Sequence, residues 1–154
     1  MIVTAISGVL ILLVVLAFVD VATHTVPNSV SLLATAGVVW IAAAAGISPQ
    51  QWLGGILAAL IVFLFYLELH LDDFFGGGDV KIAIVPAFAL GIVSPLIALW
   101  WVSMAIAIQS IFSLTNRALA GDLRRHIPLA HLPAMAVAFS AAGAVASLAA
   151  AHTG

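Results

Sequence analysis

Gly76-Gly77-Gly78-Asp79-Val80-Lys81 places an ionisable carboxylate directly after the most flexible backbone a chain can have, between apolar stretches at 52–70 and 80–93. A charge at membrane depth is disfavoured by ~3 kcal/mol on insertion scales, so an aspartate at such a boundary is costly to keep without a task. Asp20 closes another apolar stretch. Two such carboxylates, each at the end of a lipid-soluble run, are read as members of one site.

Working outward from that stretch, the surroundings are those of a membrane protein. Of the 154 residues, 65% are hydrophobic and 6% charged, and the mean hydropathy is +1.31. Soluble domains carry roughly a quarter charged residues, so this chain is solvated mainly by lipid. Its length suits one domain, residues 1–154. The formal net charge of −2 gives no reason to expect nucleic-acid binding. The absence of cysteine excludes disulfides, thiolate metal sites and cysteine nucleophiles together. The first apolar stretch begins almost at Met1 without a basic segment ahead of it, so it is expected to stay as a spanning helix rather than be cleaved as a signal peptide.

Six apolar stretches, at 2–19, 29–47, 52–70, 80–93, 96–114 and 132–151, are separated by breakers: Pro27-Asn28, Ser48-Pro49, the triple glycine and Ser94-Pro95. Most approach the ~20 residues that cross the hydrocarbon core. The fourth is short and contains Pro86, so it either runs on past Pro95 or is a tilted or partly re-entrant piece. Backbones in lipid are satisfied only by helices or closed barrels, and strand alternation is missing. The expected fold is an all-α membrane protein, a polytopic bundle of six transmembrane helices. Glycine and alanine patches at Ala42–Ala45, Gly54-Gly55 and Ala141-Ala142-Gly143 are expected to let helices approach closely.

With six alternating crossings, all four Lys/Arg and all six Asp/Glu fall on one membrane face. The positive-inside rule makes that face cytoplasmic and puts both termini outside. Asp20 and Asp79 then share the cytoplasmic boundary. Two carboxylates brought close tend to share one proton. One of them can then deprotonate a water while its protonated partner polarises a carbonyl. Singly, Asp79 reads as an N-cap of the fourth helix and Asp20 as a solvated helix end; the sequence around each favours the pair. Gly76 and Gly78 can adopt positive φ and let a substrate backbone approach, or they form a flexible turn.

Gly76-Gly77-Gly78-Asp79-Val80-Lys81 resembles the G-x-G-D-x-K signature of the type IV prepilin peptidases. Asp20 followed by Val26-Pro27-Asn28 is similar to that family's first aspartate motif, and Ile127-Pro128-Leu129-Ala130-His131-Leu132-Pro133-Ala134 resembles the opening of its last helix. The short, cysteine-free chain looks like the form associated with Flp or tight-adherence pili. The resemblance implies an aspartic endopeptidase with Asp20 and Asp79 as catalytic pair, cleaving a prepilin or prepseudopilin leader after a glycine at the cytoplasmic face of the bacterial inner membrane. It implies no cofactor and no metal. Between Asp20 and Pro27 many members carry arginine; here only His24 can be cationic.

Around the pair, Lys81 either steadies the dyad, contacts substrate or anchors the chain at the interface. Pro27 and Asn28 are expected to end a turn, cap the second helix and so shape the site. Arg117, Arg124 and Arg125 read as orientation determinants near anionic lipid. His70, His126 and His131 lack metal-ligand spacing. The competing class is a small ion- or proton-coupled transporter, which would place an acid deep within a span; a non-catalytic scaffold would need neither aspartate.

Overall fold

The computed structural model describes residues 2–23, 26–119 and 131–152. They form six helices: α1 (Ile2–Thr23), α2 (Asn28–Ala44), α3 (Pro49–Leu71), α4 (Gly77–Gly91), α5 (Pro95–Leu119) and α6 (Leu132–His152). The all-α expectation holds. Helices α3, α5 and α6 are long and apolar enough to cross a bilayer by length and composition, while α2 (17 residues) and α4 (15 residues) fall short of the usual length.

Local chemistry explains several boundaries. Ser48 caps α3 through a reciprocal pair of bonds: Gln51 N–H donates to Ser48 Oγ at 3.3 Å, and Ser48 N–H donates to Gln51 Oε1 at 2.8 Å. Pro49 sits at the first helical position, where it has no hydrogen bond to lose. At the far end, Asp73 takes a left-handed φ of 59°. Phe74 N–H returns to the Leu69 carbonyl and Asp73 N–H to that of His70, the pairing of a Schellman stop. Helix α4 does not continue past Pro95; the turn at Ile92–Ser94 separates it from α5.

The short helix is central. It packs against each of the other five, and Val80, Ile82, Ala83 and every residue from Val85 to Gly91 are buried. Protein rather than lipid surrounds it, so a helix of about 22 Å (1.5 Å per residue) exposes no irregular backbone to hydrocarbon. Pro86 removes one N–H from its ladder without ending it.

The bundle has two unlike poles. At one, Gly54, Gly55 and Ala58 of α3 meet Gly91 of α4 so closely that a Cβ on Gly91 would stand 2.5 Å from Ala58 Cβ. At α1–α6, a Cβ on Gly143 would stand 2.9 Å from the Ile6 side chain. The patches at Gly54-Gly55 and Ala141-Ala142-Gly143 thus serve close helix approach, as expected. At the opposite pole lie the ends of α1, α3 and α5, the starts of α2, α4 and α6, and every described charged side chain: Asp20, Glu68, Asp72, Asp73, Asp79, Lys81 and Arg117. Asp122, Arg124, Arg125 and His126 lie outside the described residues, as does His24.

Candidate active site

Asp20, in the last turn of α1, and Asp79, in the first turn of α4, are both buried, at 7% and 8% exposure. Asp20 is therefore not a solvated helix end. Its Oδ2 accepts the Leu132 N–H at 3.3 Å, so the positive end of α6 faces this carboxylate. Nor is Asp79 the N-cap of α4. That position belongs to Gly76, and Asp79, three residues on, turns its Oδ2 back to accept the Gly76 N–H at 3.1 Å.

The two carboxyls are electrostatic neighbours. Asp79 stands one residue ahead of the apolar stretch at 80–93, and its pKa is raised to about 7. Burial is the main cause and the Asp20 charge the second; the Gly76 N–H and His70 oppose them. Burial and the neighbouring carboxyl thus favour the protonated form of Asp79.

The two aspartate-bearing segments interlock at three points. Asp20 meets Asp79 electrostatically. Val26 fills the space in front of Gly78, where a Cβ would stand 3.2 Å from Val26 Cβ. Lys81 Nζ donates to Asn28 Oδ1 at 2.6 Å. This corrects two expectations. Gly76 has φ −71° and Gly78 lies within the helix, so neither uses positive φ; Gly78 supplies missing volume. Asn28 does not cap α2. Pro27 is the N-cap, its carbonyl accepting from Val30 and Ser31, and the Asn28 side chain is spent on Lys81. Lys81 is exposed and bound to Asn28.

Sequence reasoning passed over an aromatic cluster on the other side of Asp79. The Tyr66 hydroxyl and His131 Nε2 share a hydrogen bond of 2.9 Å. Phe75 stacks on both rings, 5.4 Å from Tyr66 and 4.1 Å from His131. His131, 1% exposed, is held neutral by burial, which lowers its pKa to about 3. His70 Nδ1–H donates to the Phe75 carbonyl at 2.8 Å, and its Nε2 edge lies 3.5 Å from where a Gly77 Cβ would be. The loop from α3 to α4 is thus pinned by His70 behind and His131 above. One signal was available: Tyr66 is the chain's single tyrosine, set in an apolar helix, and a buried tyrosine hydroxyl needs a partner.

A cavity of about 980 Å³ opens beside Asp79, between the C-terminal halves of α3 and α5, and reaches Phe65, His70, Phe74, Ile106 and Arg117. It is mostly apolar and has the Asp79 carboxyl among its lining residues. Among the described residues no group of three His, Cys, Asp or Glu side chains is placed to hold a metal ion.

Residues 8–114 match the model of the type IV leader peptidase family. No curated protein and no solved structure matches the chain.

Proposed function

The chain belongs to the type IV leader peptidase family, which makes it a membrane protease for prepilin-type substrates in general terms, and from that premise we propose that Asp20 and Asp79 are its catalytic pair. The observation that carries this is the burial of both carboxyls at one pole, with Asp79 raised by burial and by Asp20 and bordering a cavity of about 980 Å³.

The chemistry follows from the shared proton. Asp79 donates from its free oxygen to the scissile carbonyl while its Oδ2 stays on the Gly76 N–H. Ionised Asp20, facing the Leu132 N–H, takes a proton from a water as the water oxygen bonds to the carbonyl carbon. The resulting gem-diol collapses: the C–N bond breaks, the amine nitrogen takes the proton from Asp20, and a diol hydroxyl returns its proton to Asp79. The new carboxyl and amine termini leave with the pair back in its starting state.

In this reading all six helices span the inner membrane, short α4 doing so inside the bundle. The charged pole is cytoplasmic because it holds the described Lys and Arg, and both termini lie outside. Substrate enters as an apolar segment from the bilayer, with its leader reaching the cytoplasm and cleavage following a glycine. A transporter would want an acid in mid-span; every described acid sits at the charged pole.

Coexpression with a candidate Flp-type prepilin tests the proposal. Wild type is expected to remove the leader, and Asp20→Asn and Asp79→Asn are expected to leave it in place. Processing undiminished in both variants would rule the mechanism out.

A further inference from the structure

Three separate segments reach the start of α6. From α3, the Tyr66 hydroxyl shares its 2.9 Å hydrogen bond with Nε2 of His131, the residue just ahead of that helix. From the loop into α4, the Phe75 ring stacks on the His131 imidazole with 4.1 Å between centroids. From α5, Trp101 Nε1–H donates to the Met135 carbonyl at 3.1 Å. Met135 N–H in turn donates to the His131 carbonyl at 3.1 Å, closing the first turn. Tyr66, Trp101 and His131 are all buried.

The next amide after His131 is the Leu132 N–H, which meets Asp20 Oδ2 at 3.3 Å. That is the long end of hydrogen-bond range, so a displacement of a few tenths of an ångström at His131 decides whether Asp20 keeps its donor. Among the described residues, α3 and α6 nowhere pack backbone against backbone; the Tyr66 side chain bridges the gap between them. The bridge has a cost. His131 Nδ1 is buried without a partner, an arrangement that an apolar side chain of similar size would avoid. What an apolar contact lacks is direction, and a hydrogen bond supplies it.

We propose that His131 is a positioning residue for Asp20: tied to Tyr66 and stacked on Phe75, it sets where α6 begins and so holds the Leu132 N–H on the Asp20 carboxylate. The inference rests on the peptidase reading above, in which Asp20 takes a proton from water. A carboxylate held by a fixed donor keeps its other oxygen aimed at that water, and a loosened one turns away. Tyr66 also lies within electrostatic reach of Asp79, so the two carboxyls have to be read separately.

The test uses the full chain in nanodiscs with a synthetic prepilin peptide, and carbon-13-labelled aspartate whose Asp20 and Asp79 signals are assigned by their loss in Asp20→Asn and Asp79→Asn. Tyr66→Phe removes the hydroxyl alone and leaves His131 unpaired. It is expected to lower kcat by about tenfold with KM within about twofold of wild type, the pattern of a misplaced catalytic group. The Asp20 carboxyl signal should move and that of Asp79 should stay. Tyr66→Phe combined with His131→Phe removes both partners, keeps a ring against Phe75, and should recover most of the thermal midpoint lost in the single variant. Its kcat should stay low, because packing returns and direction does not. Recovery of kcat together with the midpoint overturns the proposal and leaves the cluster a packing element. An Asp20 signal unmoved in Tyr66→Phe also overturns it, as does a change confined to Asp79, which would make Tyr66 a partner of that carboxyl instead. Cleavage by wild type but not by Asp79→Asn keeps the peptidase reading standing in each of these cases. If wild type cleaves no peptide, both fall.

Discussion

At Gly91, α4 lies so close to α3 that an added Cβ would stand 2.8 Å from the Gly54 carbonyl oxygen and 3.0 Å from Gly55 Cα. At Gly76–Lys81 the same helix meets α2 through a single polar bond, Lys81 to Asn28, and borders a cavity of about 980 Å³. Both ends are rich in glycine, for different reasons. At the packed end, glycine lets two backbones touch and gains dispersion contacts where no hydrophobic drive exists between lipid-solvated helices. At the charged end, glycine leaves a gap for Val26 at Gly78. One end fixes where α4 is; the other decides what it presents.

That division predicts opposite phenotypes. On the proposed mechanism, Asp79→Asn removes the proton that polarises the scissile carbonyl but keeps the shape of the residue and an oxygen for the Gly76 N–H. Leader removal is expected to fall by about a thousandfold, the scale of general acid–base catalysis, with the thermal midpoint in detergent within a few degrees of wild type. A variant that unfolds outright would mean the carboxyl is structural.

Gly91→Val is the converse. Its side chain has nowhere to go between Ala58 and the Gly54 carbonyl, and overpacking of this kind costs roughly 1–3 kcal/mol. The midpoint should drop clearly, while cleavage per folded molecule stays within a few-fold of wild type. A variant of unchanged stability that has lost activity would dissolve the contrast between the poles.

How far the sequence carried this picture follows from what each residue type can report. Apolar runs between breakers located all six helices to within a few residues, because a lipid-solvated span must be long and apolar whatever it packs against. Two aspartates at helix ends were assignable to one pole from charge alone. Their burial was not, since it depends on α6 bringing the Leu132 N–H to Asp20. The glycines were read for backbone freedom and are used for missing volume, a distinction invisible without knowing that Val26 arrives opposite Gly78. His70, Phe75 and His131 come from separate segments and share no spacing, so only tertiary contact reveals them as one cluster.

The pH dependence sharpens the comparison from the charged side. Asp79, raised to about 7, holds a proton below that pH and loses it above. On the proposed mechanism no donor then faces the scissile carbonyl, so kcat/KM is expected to fall as pH rises through that region. His70 favours the ionised form of Asp79. The other described ionisable groups at this pole are Asp20, Tyr66, Glu68, Asp72, Asp73, Lys81, Arg117 and His131. Replacing His70 by glutamine removes a group that promotes proton loss and should move the alkaline limb to higher pH, by a few tenths of a unit or more. A limb that stays in place in His70→Gln, or moves down, would show that His70 serves only to hold the Phe75 carbonyl.

The smallest effect belongs to the one contact that joins the two aspartate segments at the surface. Lys81 is exposed, and its bond to Asn28 Oδ1, though 2.6 Å long, competes with water for both partners; such exposed polar pairs contribute about 0.5 kcal/mol. Lys81→Ala should therefore shift the thermal midpoint by no more than a degree or two and slow cleavage less than threefold, and Asn28→Ala should behave alike. The informative measurement is the double variant. If Lys81 acts only through Asn28, the second substitution adds nothing to the first, and the pair reports on how Val26 is seated against Gly78. If the two losses add, Lys81 has a separate role toward substrate or headgroups, and the charged pole would extend beyond the interlocked segments to the membrane surface itself.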